Sequence, residues 1–249
     1  MTQNSLFTDH LNVKPHQEFS TILPISVIDI AAQGRRPKQN HDAVSSRENY
    51  SPFPVEIATL CAELFLRSAT VVFDPFAGWG ERGNAITAAG KRYIGYDSSS
   101  EAVARTFTDY GITTQVADSR IAPIPSFNGL LTCPPYWNLE RYESLNGLDR
   151  DRTWEKFLLS LRIVFMRCWD AADIGATFCV MVGDWRKNHI YYDLEFQVSL
   201  MFKEFGANIV DKLIVSRSKI SKIKIMLPQA KRLGYSVRVH ENLLVFRKG

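Results

Sequence analysis

Regular alternation of hydrophobic and polar positions begins only after about residue 50 of this 249-residue chain. Residues 1 to 50 are polar and rich in Ser, Asn, Gln and Arg, and only "TILPISVIDI" has the apolar run of an ordered segment. This lead-in predicts an arm that is partly irregular. From Pro54 the pattern turns periodic. "PVEIATLCAELFLRS" carries apolar residues at helical spacing, with Pro54 at a first-turn position. "ATVVFDP" is a short β-branched strand ending at Asp74, followed by the glycine-rich turn "FAGWGERG" and a helix, "GNAITAAG", closed by Gly90. "KRYIGYD" predicts a strand ending at Asp97, "SSEAVARTFTDYG" a helix, "ITTQVADSR" a strand, and "FNGLLTCPP" a strand cut off by prolines. Beyond them lie a long amphipathic helix, "TWEKFLLSLRIVFMRCWDAA", a buried strand, "ATFCVMVGD", and a helix, "LEFQVSLMFKEFG". "ANIVDKLIVS" and "HENLLVFRK" close the chain as strands that pair antiparallel, with no helix predicted between them. Strand alternating with helix predicts an α/β fold, a mostly parallel sheet with helices on both faces. Residues 51–249 are read as one domain.

Composition narrows the function classes. The chain is 45% hydrophobic and 22% charged, normal for a folded protein. No run of about 18 apolar residues suits a membrane span, and the start lacks the basic and apolar regions of a signal peptide. Cys61, Cys133, Cys168 and Cys179 form no C-x-x-C pair, so neither a metal site nor a disulfide framework is expected, and a cytoplasmic location is. Charge is uneven. Residues 211–249 hold ten Lys/Arg against Asp211 and Glu241, a net of +8 in a chain of +4, which leaves −4 for the rest. A basic carboxyl-terminal portion, centred on 212–238, fits a polyanion-facing edge, or else a lysine-rich solvated face. Its "KISKIKIM" alternation would place lysines on one face of an extended segment. There Arg217, Lys219, Lys222, Lys224, Lys231 and Arg232 are candidates to neutralise phosphates.

In open α/β sheets ligands sit beyond the carboxyl ends of the strands. Four strands here end in something chemically notable. Asp74 leads into "DPFAGWGERG", a formal G-x-G-x-x-G at Gly78, Gly80 and Gly83. Asp74, Pro75, Phe76 and Ala77 separate the first glycine from the strand, unlike a nicotinamide-binding turn. An acidic residue beside glycines that admit a close ligand suits a cationic one, such as S-adenosylmethionine (SAM), rather than a pyrophosphate. Asp97 stands where a carboxylate accepts both ribose hydroxyls of a nucleoside, and it could equally cap the next helix. Asp118 could accept an adenine amine or hold a turn. The fourth ending is Cys133-Pro134-Pro135-Tyr136.

Taken together, "VVFDPFAGWGERGNAI", "KRYIGYD", "ADSR" and "LLTCPPY" resemble the amino-methyltransferases that modify exocyclic amines of bases in DNA. "YSPFPVEIATLCAELF", "ATFCVMVGDWR" and "HENLLVFRK" extend the resemblance over about residues 50 to 249. It implies a Rossmann-like SAM-dependent methyltransferase fold, with Pro54, Asp74, Pro75, Phe76, Gly78, Gly80, Asp97 and Asp118 on the cofactor. It implies the tetrad Cys133, Pro134, Pro135 and Tyr136 on the substrate. In that family the first tetrad side chain and the first proline's carbonyl accept from the amine, prolines fix the carbonyl's direction, and the aromatic stacks on a base flipped out of the duplex. "NLERYESLNGLDRDRT" is the loop expected to close over it.

Cys133 departs from the family's pattern, in which adenine-specific members carry Asp or Asn and cytosine-specific ones Ser. Cysteine is isosteric with serine and a weak acceptor, which favours cytosine N4 over adenine N6 and lowers the expected activity. A thiolate adding covalently to a pyrimidine and activating carbon 5 is the competing mechanism. The competing functions are RNA-base methylation and nucleic-acid binding by a catalytically weak or dead relative. DNA is the expected partner, in a restriction–modification pair, a solitary methylase or a phage genome, and the oligomeric state is open, a homodimer included.

Overall fold

The structure, a computed structural model, describes residues 25–30, 53–137, 147–217 and 223–249. Its strands are β1 (Val27–Asp29), β2 (Val71–Asp74), β3 (Arg92–Asp97), β4 (Gln115–Val116), β5 (Phe127–Thr132), β6 (Ala172–Val182), β7 (Trp185–Lys187), β8 (Ile190–Tyr192), β9 (Asn208–Ser216) and β10 (His240–Arg247). Its helices are α1 (Val55–Leu60), continued by a π-helical turn at Cys61–Phe65, α2 (Glu81–Ala88), α3 (Ser100–Tyr110), α4 (Trp154–Ala171), α5 (Leu194–Glu204) and α6 (Ile223–Leu233). Eight strands make one sheet in the order β1-β9-β10-β6-β5-β2-β3-β4. All neighbouring pairs are parallel except those of β10, which runs antiparallel between β9 and β6. This is the Rossmann-like, mostly parallel sheet expected from the alternation, with its terminal strands antiparallel.

Period-two burial divides the core. Phe178, Val180 and Val182 of β6 face one cluster with Phe73, Leu130, Leu244 and Phe246, while Cys179 and Met181 face the other with Val72, Leu131, Leu243 and Val245. α4 and α5 cover the first face. Phe157, Leu161, Val164, Phe165 and Cys168 recur at helical spacing, and Phe202 stacks on Phe246 with centroids 4.4 Å apart. α1 and α2 cover the second face through Ile57, Ala58, Leu60, Ala85 and Ile86. Caps set the helix ends. Ser99 accepts from the Ala102 amide at 3.2 Å, Thr153 accepts from Lys156, and Gly111 closes α3 in the left-handed region.

Four sequence expectations change. α2 begins at Glu81 instead of Gly83, because Gly80, at φ +95°, supplies its N-cap. "ITTQVADSR" yields only the two-residue edge strand β4, with both residues exposed and β3 as its single partner. β7 and β8, a separate antiparallel hairpin, follow β6 where the sequence predicts no element. The basic segment is helical over Ile223–Leu233, not extended: isoleucines and lysines two apart also satisfy a short helix, and Pro228 sits inside it. From the arm, Val27–Asp29 joins the sheet edge parallel to β9. Residues 1–24 and 31–50 of the arm, residues 138–146 of the expected closing loop, and Lys219 and Lys222 lie outside the described residues.

Candidate active site

Parallel strands bring their carboxyl ends to one rim. There Asp74 and Asp97 end β2 and β3, Asp118 and Cys133 follow β4 and β5, and Gly183 and Arg217 follow β6 and β9. β10 runs the other way, so it delivers its first residues, His240 and Glu241, to the same rim, with Glu241 opposite Val215. A cleft of about 1190 Å³, its open mouth included, lies along this rim. Pro75, Phe76, Gly78, Asp97 and Asp118 line one end and Cys133, Pro134, Pro135 and Tyr136 the other, with Arg217 and Glu241 beside the tetrad.

Asp74 does not face the cleft. It is fully buried beneath the turn, where Oδ2 accepts from Arg82 Nε at 2.7 Å and from the Tyr93 hydroxyl at 3.1 Å. Its Oδ1 accepts from the Thr132 hydroxyl at 2.6 Å and from the Phe76 amide at 3.1 Å. Arg82 also donates to the Phe76 carbonyl and lies 5.0 Å over the Phe53 ring. Burial opposes the Arg82 charge, but Asp74 more than compensates and raises its pKa. The expected role of Asp74 as a cofactor neighbour is therefore corrected. Its carboxylate is neutralised by Arg82 and ties the turn to β3 and β5.

Gly80 and Pro54 likewise do not line the cleft. A Cβ on Gly80 would meet the Tyr110 ring at 2.8 Å and Thr106 at 2.9 Å, so the glycine lets α3 pack on the turn. Pro54 is the N-cap residue of α1 and accepts from Ala58, whereas its neighbour Phe53 lines the cleft.

Asp97 does face it. Oδ2 accepts from the Gly78 amide and Oδ1 from the Ser99 amide, each at 2.8 Å, so the carboxylate pins the glycine turn to the start of α3. Burial raises its pKa, and the two amides oppose that rise. The cap of α3 is Ser99, not Asp97. Asp118 keeps a turn role while lining the cleft: it pairs with Arg120 at 2.7 Å, and its backbone carbonyl accepts from Ile121 and Ala122. Partial burial pushes its pKa up, but the hydrogen bonds from Arg120 outweigh this and hold it below the ordinary carboxylate value.

At the tetrad end of the cleft, the Tyr136 hydroxyl donates to Glu241 Oε1 at 2.5 Å, and Glu241 Oε2 pairs with Arg217 at 2.7 Å. Gly183 leaves room for this chain, since a Cβ there would come 3.2 Å from Glu241. Burial, with Glu241 adding to it, raises Tyr136 well above its ordinary value and pushes the Cys133 thiol up to about 12. The Cys133 sulfur lies 4.0 Å from the Pro134 carbonyl oxygen. Trp137 packs instead of extending the Tyr136 face: its indole donates to the Asp151 carbonyl at 2.7 Å, and its ring meets Trp154 and Tyr192.

Of the basic candidates, Arg217 is in the cleft, Lys231 and Arg232 are exposed at the end of α6, and Lys224 lies in its first turn. Glu241 is the site residue that motif reading missed; Arg217, read from the sequence as a phosphate contact, lines the cleft as the ion-pair partner of Glu241. The signal for Glu241 was a carboxylate at the head of an otherwise apolar strand.

Fold and cleft define the class: this is the Rossmann-like fold of the SAM-dependent methyltransferases. SAM is the cofactor of that class, and the cleft fits it. Carboxylates outnumber cations among the lining residues, as an ammonium and a sulfonium require, and Pro75, Phe76, Ala117 and Leu148 supply apolar walls for an adenine. Within the class, residues 9–108 match the family of N6 and N4 methyltransferases described as DNA methylase. No curated protein matches the chain. Among solved structures, N-methyltransferase NodS from Bradyrhizobium japonicum WM9, in complex with S-adenosyl-L-homocysteine, is similar at 13% identity and TM-score 0.53, over 82% of this chain and 91% of that one. A putative RNA methyltransferase from Pyrococcus horikoshii gives 14% identity and TM-score 0.50, over 78% and 82%. TrmN from Thermus thermophilus gives 14% identity and TM-score 0.49; 77% of this chain aligns, spanning about half of that protein (49%).

Proposed function

We propose that the chain methylates the exocyclic amine of a base flipped out of DNA, with cytosine N4 favoured over adenine N6. The observation that carries this reading is that Asp97 and Cys133–Tyr136, ends of different strands, line one continuous cleft. SAM supplies an electrophilic methyl group there. The remaining work falls to the chain. Asp97 takes the ribose hydroxyls on the lone pairs that Gly78 and Ser99 leave. The Pro134 carbonyl, fixed by its ring, accepts from the amine and draws its nitrogen toward tetrahedral geometry. Tyr136 offers its face to the base, its hydroxyl tethered by Glu241. Burial keeps the Cys133 thiol protonated at neutral pH, which speaks against covalent attack on carbon 6 of a pyrimidine.

The test is transfer from tritiated SAM to duplex DNA and, separately, to RNA, followed by digestion to nucleosides. Label in N4-methylcytosine is the expected result, and N6-methyladenine would keep the site while reversing the base. Label at carbon 5, in RNA alone or in no nucleoside would defeat the proposal.

A further inference from the structure

We propose that the β7–β8 hairpin and the chain beside it form a surface that grips the DNA backbone next to the catalytic corner. This rests on the reading of the chain as a DNA-base methyltransferase. The hairpin leaves the sheet two residues after β6 ends. Its first residue, Trp185, meets the Tyr136 ring edge-on at 5.8 Å and stacks on Tyr192 at 5.3 Å, so its root is the wall of the substrate end. A two-residue turn closes it, with Asn188 at φ +49° and His189 at φ +68°, a conformation that fixes the tip's direction.

Outward from that root, planar cations and rings alternate. The Arg186 guanidinium lies over Tyr235 at 4.7 Å and over Tyr191 at 5.2 Å, and Arg238 lies over Tyr191 at 5.0 Å. Stacking engages the faces of the guanidinium groups. Arg238 gives Nη2 to Asp184 and Tyr191. Arg186, exposed and giving one N–H to the His189 carbonyl at 3.3 Å, keeps the rest of its edge for acceptors, the geometry that suits phosphate oxygens. The carboxylate of this cluster, Asp184, is occupied: it accepts from Arg238 at 2.6 Å, the Tyr191 hydroxyl at 2.7 Å and the Glu195 amide at 3.0 Å. Arg186 and Arg238 set against Asp184 make the cluster cationic, and Arg186 and Tyr191 are exposed. Tyr235 continues it toward Lys231 and Arg232, exposed at the end of α6. A polyanion lying along this line would pass beside Tyr136. The occupant is duplex DNA, bound through phosphates and not through bases.

Fluorescence anisotropy with a labelled 20-base-pair duplex at several salt concentrations tests this, with SAM affinity measured by calorimetry on the same protein. Arg186→Glu is expected to weaken duplex binding about tenfold and to reduce the slope of log affinity against log salt by about one, with SAM affinity and Tm unchanged. Arg186→Gln keeps a planar group on the tyrosines and covers the case in which the glutamate variant fails to fold; it should lose about half of that effect on a logarithmic scale. Unchanged duplex affinity and DNA KM in folded variants, while the wild type methylates DNA, would overturn the hairpin surface and leave the activity standing. Tighter binding of single-stranded RNA than of duplex by the wild type would overturn it as well. A wild type that binds SAM but methylates no DNA would overturn the underlying reading instead.

Discussion

The hydroxyl of Tyr136 and the carboxylate of Glu241 are joined by a 2.5 Å hydrogen bond across 105 residues of sequence. The bond fixes the Tyr136 ring, proposed above as the face for the base, and Arg217 holds the carboxylate from its other oxygen. A hydrogen bond to a charged group is worth about 1.5–3 kcal/mol, so Tyr136→Phe, which keeps the ring and loses the tether, should lower kcat/KM for DNA by roughly tenfold. Tyr136→Ala removes the face itself and should fall well below that. In a double-mutant cycle with Glu241→Gln, Tyr136→Phe should cost little more, because both changes break one interaction. Equal activities for the Phe and Ala variants would remove the stacking role.

Glu241 shows what the sequence could and could not say. Parallel strands were legible from their alternation with helices, and so was their common rim, which is why Asp97, Asp118 and Cys133–Tyr136 meet as expected. A residue at the start of a strand reaches that rim only if the strand runs antiparallel. "HENLLVFRK" was read as antiparallel, yet its amino end was not carried to the site. Asp74 was legible as important, but its partners were not: Arg82, eight residues on, and Thr132, 58 residues on, bury its charge. The β7–β8 hairpin has strands of three residues, too short for period two to register. In α6 the isoleucine–lysine alternation fits both periods, so it could not choose between strand and helix.

Asp74 and Asp97 should therefore separate stability from binding. Asp74→Ala leaves Arg82 buried without its counter-charge, and breaking a buried pair costs about 3–5 kcal/mol. Denaturant unfolding should show that loss. Asp97→Ala leaves two amides short of an acceptor, about 1–3 kcal/mol each when dry and the low end of that where the open cleft admits water, and its main effect should be weaker SAM binding by calorimetry. The opposite ordering, with Asp97→Ala the less stable and Asp74→Ala folded but unable to bind SAM, would contradict both assignments.

Two glycines with positive φ should respond differently to the same substitution. Gly80 and Gly90 sit at φ +95° and +74°, so alanine strains either by about 1–2 kcal/mol. At Gly90 the new methyl meets nothing within 4 Å, whereas at Gly80 it meets Tyr110 and Thr106 below 3.0 Å. Gly80→Ala should lower Tm well beyond Gly90→Ala and weaken SAM binding, since α3 must move off the turn that Asp97 holds. Equal Tm losses would show that α3 yields freely.

Cys133 decides between direct transfer and covalent attack. Burial, reinforced by Glu241, raises its thiol to about 12, against about 8.5 for a free cysteine. The folded state thus keeps the proton that the unfolded chain releases. The stability this gives is complete below the ordinary thiol range and is lost as pH rises toward 12. At pH 8 the thiolate is scarcer than in a free thiol by on the order of a thousandfold, so iodoacetamide should leave Cys133 unlabelled in the native protein, as intact mass would show, and label it after denaturation. Direct transfer needs no thiolate, and Cys133→Ser should keep or raise methylation at the amine, since the hydroxyl is the better acceptor. Rapid native labelling together with an inactive serine variant would establish a nucleophilic cysteine and carbon methylation in its place.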